Sequence, residues 1–179
     1  EDITSTEMCD LFEAHEKNDR ILTLSNGAFS SVVFSRSRFY LANKTESGDI
    51  VKAERPFCRA MCLTNYQRYQ GKPYPYTQTI VFDEFITRQA YLRDEFVLFM
   101  NTLSTIIRSR DDVKIFMLGN TVNKYCPYFD EMGLRHVREM KQGEIDVYQL
   151  KHQSGKVLRV AVEYCKPYEK GKKSDFYFA

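Results

Sequence analysis

The chain has 179 residues, 43% of them hydrophobic, with 13 Phe, 12 Tyr and no Trp; that supply of apolar and aromatic side chains suffices for one packed domain and excludes wholesale disorder. Its 26 basic and 24 acidic side chains leave a net charge of only +2, so the chain is not a polycation that coats nucleic acid by bulk charge, and any such contact must be local. No apolar run approaches the roughly 20 residues of a membrane-spanning helix, and the start Glu1-Asp2-Ile3 lacks the charged and apolar regions of a signal peptide, as expected of a cut end.

In chain order, Thr4-Ser5-Thr6-Glu7 reads as a capping box, and Met8, Leu11 and Phe12 recur at helical spacing, predicting a short helix over about 4–17. From Arg20 to Leu63 the texture is β-rich, with runs at Arg20–Leu24, Ser31–Ser35, Arg38–Ala42 and Phe57–Leu63 broken by Ser25-Asn26-Gly27 and by the polar stretch Asn43–Asp49. Tyr66–Tyr76 is a Tyr/Gln/Pro loop in which Pro73 and Pro75 exclude regular structure. Thr79-Ile80-Val81-Phe82 is apolar without alternation, the pattern of a central parallel strand covered on both faces, and it ends in Asp83-Glu84. Leu92, Phe96, Phe99, Leu103 and Ile106 then predict a helix from about Tyr91 to Ser109, and Val113–Leu118 a second strand, so a βαβ crossover is the natural topology. After Pro127 come a helical turn near Tyr128–Met132 and a hairpin of Ile145–Leu150 with Val157–Tyr164, followed by a Lys-rich tail. The fold class expected is α/β, with a mainly parallel central sheet flanked by helices and an antiparallel C-terminal addition; residues 1–165 form the domain and 166–179 a basic tail or linker.

Five cysteines in an odd set with no CxxC pair, and three histidines far apart, read as reduced thiols and carry no zinc spacing. The chemistry concentrates instead on Asp83 and Glu84, carried to the C-terminal end of a buried strand, where open α/β sheets bind ligands. Adjacent strand residues point to opposite faces, so one carboxylate can orient a Mg²⁺ through its water shell while the other polarises an attacking water; ending a strand is the competing role. Asn120, just past the next strand, can reach a γ-phosphate or the attacking water, or simply make a turn with Gly119. Arg108 and Arg110 close the long helix, where cations meet the negative end of its dipole, and one of them can project as an arginine finger. Arg88, Arg93 and Lys124, with Tyr91 and Tyr125 close by, suit contacts to a nucleic-acid backbone and equally a solvated loop.

At Thr79-Ile80-Val81-Phe82-Asp83-Glu84-Phe85-Ile86 the chain resembles the DNA encapsidation ATPases of small short-tailed phages, ring-forming motors of the conserved-glutamate P-loop class. Arg38-Phe39-Tyr40, Ile106-Ile107-Arg108-Ser109-Arg110, Leu118-Gly119-Asn120-Thr121-Val122 and Pro127-Tyr128-Phe129 follow the family's order, so the resemblance spans about residues 32 to 130. It implies that Asp83 is the Walker B magnesium aspartate, Glu84 the catalytic glutamate, Arg108 the trans-acting finger with Arg110 as the alternative, and Asn120 the polar coupling residue. Arg88 falls in the loop facing the DNA channel, and Arg68 and Lys72 compete for the place of a trans-acting lysine.

The implied cofactors are ATP and Mg²⁺. The implied partners are double-stranded DNA, further copies in a homo-oligomeric ring, the portal of a viral procapsid and a packaging RNA, with the host cytoplasm as location. The family's Gly-rich Walker A loop has no counterpart here, since Ser25-Asn26-Gly27-Ala28-Phe29-Ser30-Ser31 lacks the second glycine and the lysine; it is expected upstream of residue 1, leaving this segment inactive alone. The alternatives are a metal-dependent nuclease or phosphoesterase using Asp83 and Glu84, and a non-catalytic scaffold module of the motor.

Overall fold

The computed structural model describes residues 8, 10–88, 90–120, 125–151 and 157–166, which group into two compact units, Glu1–Pro75 with Leu98–Ser109, and Tyr76–Val97 with Arg110–Ala179. The predicted capping box, Thr121-Val122, Lys124, the 152–156 link and the tail beyond 166 lie outside the described residues.

The first unit is built on strand β2 (Arg38–Lys44), which pairs antiparallel with β1 (Ser31–Ser35) along one edge and with β3 (Ile50–Lys52) and β4 (Cys58–Arg59) along the other. Helices α1 (Glu13–Lys17) and α2 (Arg20–Leu24) precede the sheet. Ile21, Val32 and Phe39 form its core, with Phe12, Phe29, Phe34 and Leu41 packed against them; the Phe39 ring lies 4.8 Å from that of Phe34 and 5.3 Å from that of Phe12. One carboxylate ties helix to sheet. Glu16 Oε1 accepts hydrogen bonds from the Val32 amide at 2.8 Å and the Ser31 hydroxyl at 3.0 Å, and Ser31 is 98% buried, being 2% exposed.

Two expectations in this region fail. Arg20–Leu24 is a helix, not a strand: Thr23 donates from both its amide and its hydroxyl to the Asp19 carbonyl, and the helical turn buries Ile21 while Leu24 stays in solvent. A five-residue apolar run is too short for its period to decide. The run Phe57–Leu63 pairs only at Cys58–Arg59 and then passes into a 3-10 turn, Leu63–Arg68, that the Tyr69 hydroxyl fastens by accepting the Cys62 amide at 2.8 Å.

In the second unit β5 (Thr79–Phe82) and β6 (Lys114–Met117) pair in parallel, Thr79 opposite Lys114 through Phe82 opposite Met117. The chain between them contains α3 (Glu95–Ile107), of which Glu95–Val97 belong to this unit and the rest, from Leu98, to the first; it is shorter at both ends than the periodicity suggested, with Phe99, Leu103 and Ile106 on its buried face as read. Arg108 and Ser109 end it in left-handed conformations, φ 46° and 65°. Then come α4 (Pro127–Glu131), a 3-10 turn at Arg135–Arg138, and the antiparallel pair β7 (Ile145–Lys151) and β8 (Val157–Glu163).

Parallel pairing among the described residues is confined to β5 and β6, so the mainly parallel central sheet is present only as this two-stranded piece. Nor is β5 covered on both faces. Val81 and Phe116, opposite each other in register, are 58% and 51% exposed, while Ile80 and Phe82 turn inward. An unbroken apolar run says that a strand can be covered, not that it is.

Removing the carboxylate in Glu16→Ala strands a buried amide and hydroxyl, so urea unfolding at neutral pH is expected to show a loss of about 1–3 kcal/mol; a loss below about 0.5 kcal/mol, the size of an ordinary surface change, would show that solvent replaces the carboxylate. The second expected outcome concerns pH. His136 Nδ1 lies 2.5 Å from Asp146 Oδ2, and the hydrogen bond, then the charge of Asp146, raises the imidazole pKa while the same hydrogen bond lowers that of Asp146. The raised His136 contributes stability below its unfolded value of about 6.5 that is lost as pH rises through the folded value; the depressed Asp146 contributes above its unfolded value of about 3.9 and is lost as pH falls. The stability difference between wild type and Asp146→Asn is therefore largest between about pH 4 and 6.5, and NMR titration is expected to find His136 with a lower pKa in the variant.

Candidate active site

Asp83 and Glu84 lie just beyond β5, and the backbone around them is irregular in a specific way. In a regular parallel ladder one residue bonds to two partners that are two positions apart. Here the Leu118 amide donates to the Phe82 carbonyl at 2.8 Å, and the Leu118 carbonyl accepts from the Phe85 amide at 3.2 Å, a span of three. One extra residue is thus inserted, a bulge of the kind that re-aims side chains beside active sites. Glu84 takes the strain, with φ 55° in the left-handed region that a residue with a side chain seldom enters. Its amide donates to Asp83 Oδ1 at 3.0 Å, so the aspartate satisfies a group that the interrupted ladder leaves over. Both acids are exposed. The strand-alternation argument for dividing their roles does not hold, because neither residue is in the strand; the bulge and the left-handed turn set their directions.

What fixes the bulge is the ring of Tyr128. Phe82 and Phe85 stand on either side of the acidic pair, and each lies 5.7 Å from Tyr128, centroid to centroid. Phe96 at 5.7 Å and Tyr91 at 6.3 Å complete the cluster. Tyr128 is fully buried, and its hydroxyl donates to Glu95 Oε1 at 2.8 Å. Burial, and next the Glu95 carboxylate, push this phenol far above its ordinary pKa, so it stays a donor. Glu95 Oε2 accepts the Leu92 amide at 2.8 Å, tying the loop before α3 to the helix's first residue. Pro127, at the first position of α4, presets the helical turn that carries Tyr128 and Phe129 inward, and buried Cys126 points its thiol at the Phe85 carbonyl, 3.8 Å away.

Asn120 is brought beside this loop by Gly119. A Cβ at position 119 would stand 2.9 Å from Ile86 Cγ1 and 3.1 Å from Phe85 Cε1, closer than carbon atoms tolerate, so only glycine lets the two loops meet this tightly. The structure therefore gathers Asp83, Glu84 and Asn120 at one end of the β5–β6 pair.

The arginines divide. Arg110 Nη1 donates to the Thr77 carbonyl at 2.7 Å and lies 3.9 Å from Asp112, with its side chain only 25% exposed; it is part of its own unit's framework. Arg108 is exposed and donates from Nη2 to the Lys72 carbonyl at 3.1 Å, which brings together Arg108 and one of the two residues considered for the trans-acting lysine. Arg88 and Arg93 are exposed in the loop before α3, Arg93 at a loose 3.7 Å from Asp94, whereas Lys124 falls outside the described residues. Tyr91 is not offered to a ligand: its hydroxyl accepts the Thr87 amide at 3.4 Å, and burial with the neighbouring Cys126 pushes its pKa up to about 12. Tyr125 instead carries the Arg138 guanidinium over its ring at 5.2 Å.

Sequence reasoning missed Tyr128, Glu95 and Gly119 as positioning residues. Pro127-Tyr128-Phe129 is a visible aromatic pair behind a helix-starting proline, and Gly119 a visible glycine at a strand end, but neither names its partner.

A family model described as Podovirus DNA encapsidation protein (Gp16) matches residues 44–149. The DNA packaging protein of Bacillus phage B103 is 33% identical over 78 residues, 42% of this chain and 24% of that protein. The DNA packaging protein of Bacillus phage phi29 is 36% identical over 73 residues, 39% of this chain and 22% of that protein. The chain thus spans about a quarter of the length of the curated relatives it matches. Among solved structures, the bacteriophage phi29 viral genome packaging motor assembly contains a chain of similar fold, with a TM-score of 0.51 and 21% identity, covering 85% of this chain and 43% of that one. The family match begins at the end of β2 and runs into β7, more than half of the sequence, and includes the bulged acidic pair, Gly119-Asn120 and Tyr128: the chain belongs to the Podovirus DNA encapsidation protein (Gp16) family.

Proposed function

We propose that this chain is a segment of a viral DNA-packaging motor ATPase, in which hydrolysis of ATP at Asp83 and Glu84 drives double-stranded DNA into a procapsid. The observation that carries the reading is the bulge itself: two exposed carboxylates held on strained backbone at the C-terminal tip of a parallel strand, with both flanking aromatics anchored on one buried ring. A strand that merely ended in acids would need neither the strain nor the anchoring. Family membership and the packaging proteins among its relatives support the same reading.

The donor set fits Mg²⁺ with nucleotide better than a cation caged by protein. Among the described residues no three His, Cys, Asp or Glu side chains converge on one point, and Mg²⁺ commonly takes one or two carboxylates and otherwise water and phosphate oxygens. Mg²⁺ bound with ATP would supply neutralisation of the developing phosphate charge. Asp83, with one oxygen already committed to the Glu84 amide, would hold the ion through its water shell. Glu84, turned out by the left-handed bulge, accepts on an Oε atom the proton of the attacking water. Asn120, held close through Gly119, orients that water or the terminal phosphate with its side-chain amide. Arg108 acts from a neighbouring subunit of a homo-oligomeric ring: among the described residues its guanidinium has a neutral carbonyl and no carboxylate as partner, so its charge remains available. Arg88 and Arg93, with Lys124, contact DNA phosphates, and the ring docks at the portal of the procapsid, with a packaging RNA as a further partner.

In the intact protein, single-turnover hydrolysis by Glu84→Gln is expected to fall by about 10²–10⁴-fold, the usual size of a lost general base, with ATP binding retained; undiminished cleavage would remove Glu84 from the chemistry. Arg108→Ala is expected to lose about 10³–10⁵-fold in turnover and to regain it when mixed with Glu84→Gln subunits, because each then supplies what the other lacks. Failure to complement at every mixing ratio would mean that Arg108 serves its own subunit.

A further inference from the structure

The antiparallel sheet of the first unit carries a group of arginines with no part in the site described above. Strands β1 and β2 are joined by a two-residue link, Arg36-Ser37, between the paired Ser35 and Arg38. Both link residues are left-handed, φ 51° and 59°, the tight hairpin turn that normally calls for Asn-Gly; here an arginine is held exposed at its tip. Two residues on, Arg38 lies directly opposite Arg59 in the β2–β4 pair, so the two side chains leave the same face of the sheet. Like charges directly opposed on neighbouring strands are destabilising. Among the described residues no carboxylate pairs with Arg36, Arg38 or Arg59, and the Arg38 Nε is buried without a hydrogen-bond partner. Buried polar groups are satisfied in the great majority of cases.

The framework holding these groups is stiff. The Ser37 carbonyl accepts the Ala60 amide at 3.0 Å and the Phe39 carbonyl accepts the Phe57 amide at 3.0 Å, locking β4 against β2 on either side of the arginine pair. The Arg59 guanidinium stands 5.5 Å from the ring of Tyr74, a buried residue. Each guanidinium is a planar fork suited to bidentate recognition of phosphate, and the sheet carries two of them opposite each other with a third at the adjoining hairpin tip.

The geometry points to a phosphate-binding surface formed by Arg36, Arg38 and Arg59 that takes the phosphodiester backbone of a nucleic acid. Arg36 and Arg59 are exposed, and cations strung along an open sheet end match a chain of phosphates better than an enclosed nucleotide. The surface lies wholly on the β1–β4 sheet, so its failure and the failure of the acidic-pair reading are separate outcomes.

The test measures fluorescence anisotropy of a labelled DNA duplex bound to the intact protein across a salt series, for wild type and Arg38→Gln/Arg59→Gln. The double variant is expected to bind at least about tenfold more weakly at low salt, with the log–log salt slope shallower by about 2, one unit for each lost phosphate contact. Unchanged affinity and slope overturn the proposal. Displacement of the duplex by inorganic phosphate at matching concentration also overturns it, by assigning the surface to a free phosphate. Should the variant fail to fold, the side-chain Nε–H resonances of Arg38 and Arg59 in wild type are followed as duplex is added: shifts in both support the surface, and two unmoved resonances overturn it.

Discussion

Everything distinctive about the acidic loop depends on one buried phenol. Tyr128 packs, tilted and edge to face, against the aromatic residues before and after Asp83-Glu84, and its hydroxyl meets the carboxylate that starts α3. A left-handed glutamate costs on the order of 1–3 kcal/mol, and a two-stranded parallel pair gives little to hold it. Aromatic burial of this kind contributes more than that, with each ring pair adding about 0.5–1.5 kcal/mol beyond its area. The strain in the bulge therefore persists because its two ends cannot separate without tearing a ring cluster.

The same arrangement explains why the two carboxylates can be exposed yet well placed. Their side chains have no packing of their own; their backbone has a great deal. Leu118 bonds to both ends of the bulge, Gly119 lies against Ile86, and Cys126 faces the Phe85 carbonyl. Their placement is carried by the main chain, which leaves both side chains exposed to solvent.

How much of this was readable in advance varied with the physics involved. The α3 helix announced itself because Phe99, Leu103 and Ile106 lie on one buried face, and periodicity survives translation into sequence. Strands β1, β2, β5, β6, β7 and β8 were legible from composition instead, as β-rich or apolar runs between turn residues. Arg20–Leu24 was not, since five residues hold too few repeats to separate a helix from a strand. The acidic pair was legible as chemistry, but its geometry was not: the inserted residue exists only in relation to Leu118, some thirty positions away along the chain. The opposed Arg38 and Arg59 were hidden in the same way, because pairing across strands is invisible until the register is known.

The missing side chain at Gly119 has one more consequence. A Cβ there would stand 2.9 Å from Ile86 Cγ1 and 3.1 Å from Phe85 Cε1, so the joint between the two loops has no room for even a methyl group. Any larger residue would have to push the loop that carries Asn120 away from the segment that carries Glu84. The two strand tips, one carrying Asn120 and the other Asp83-Glu84, therefore keep their spacing only while position 119 lacks a side chain.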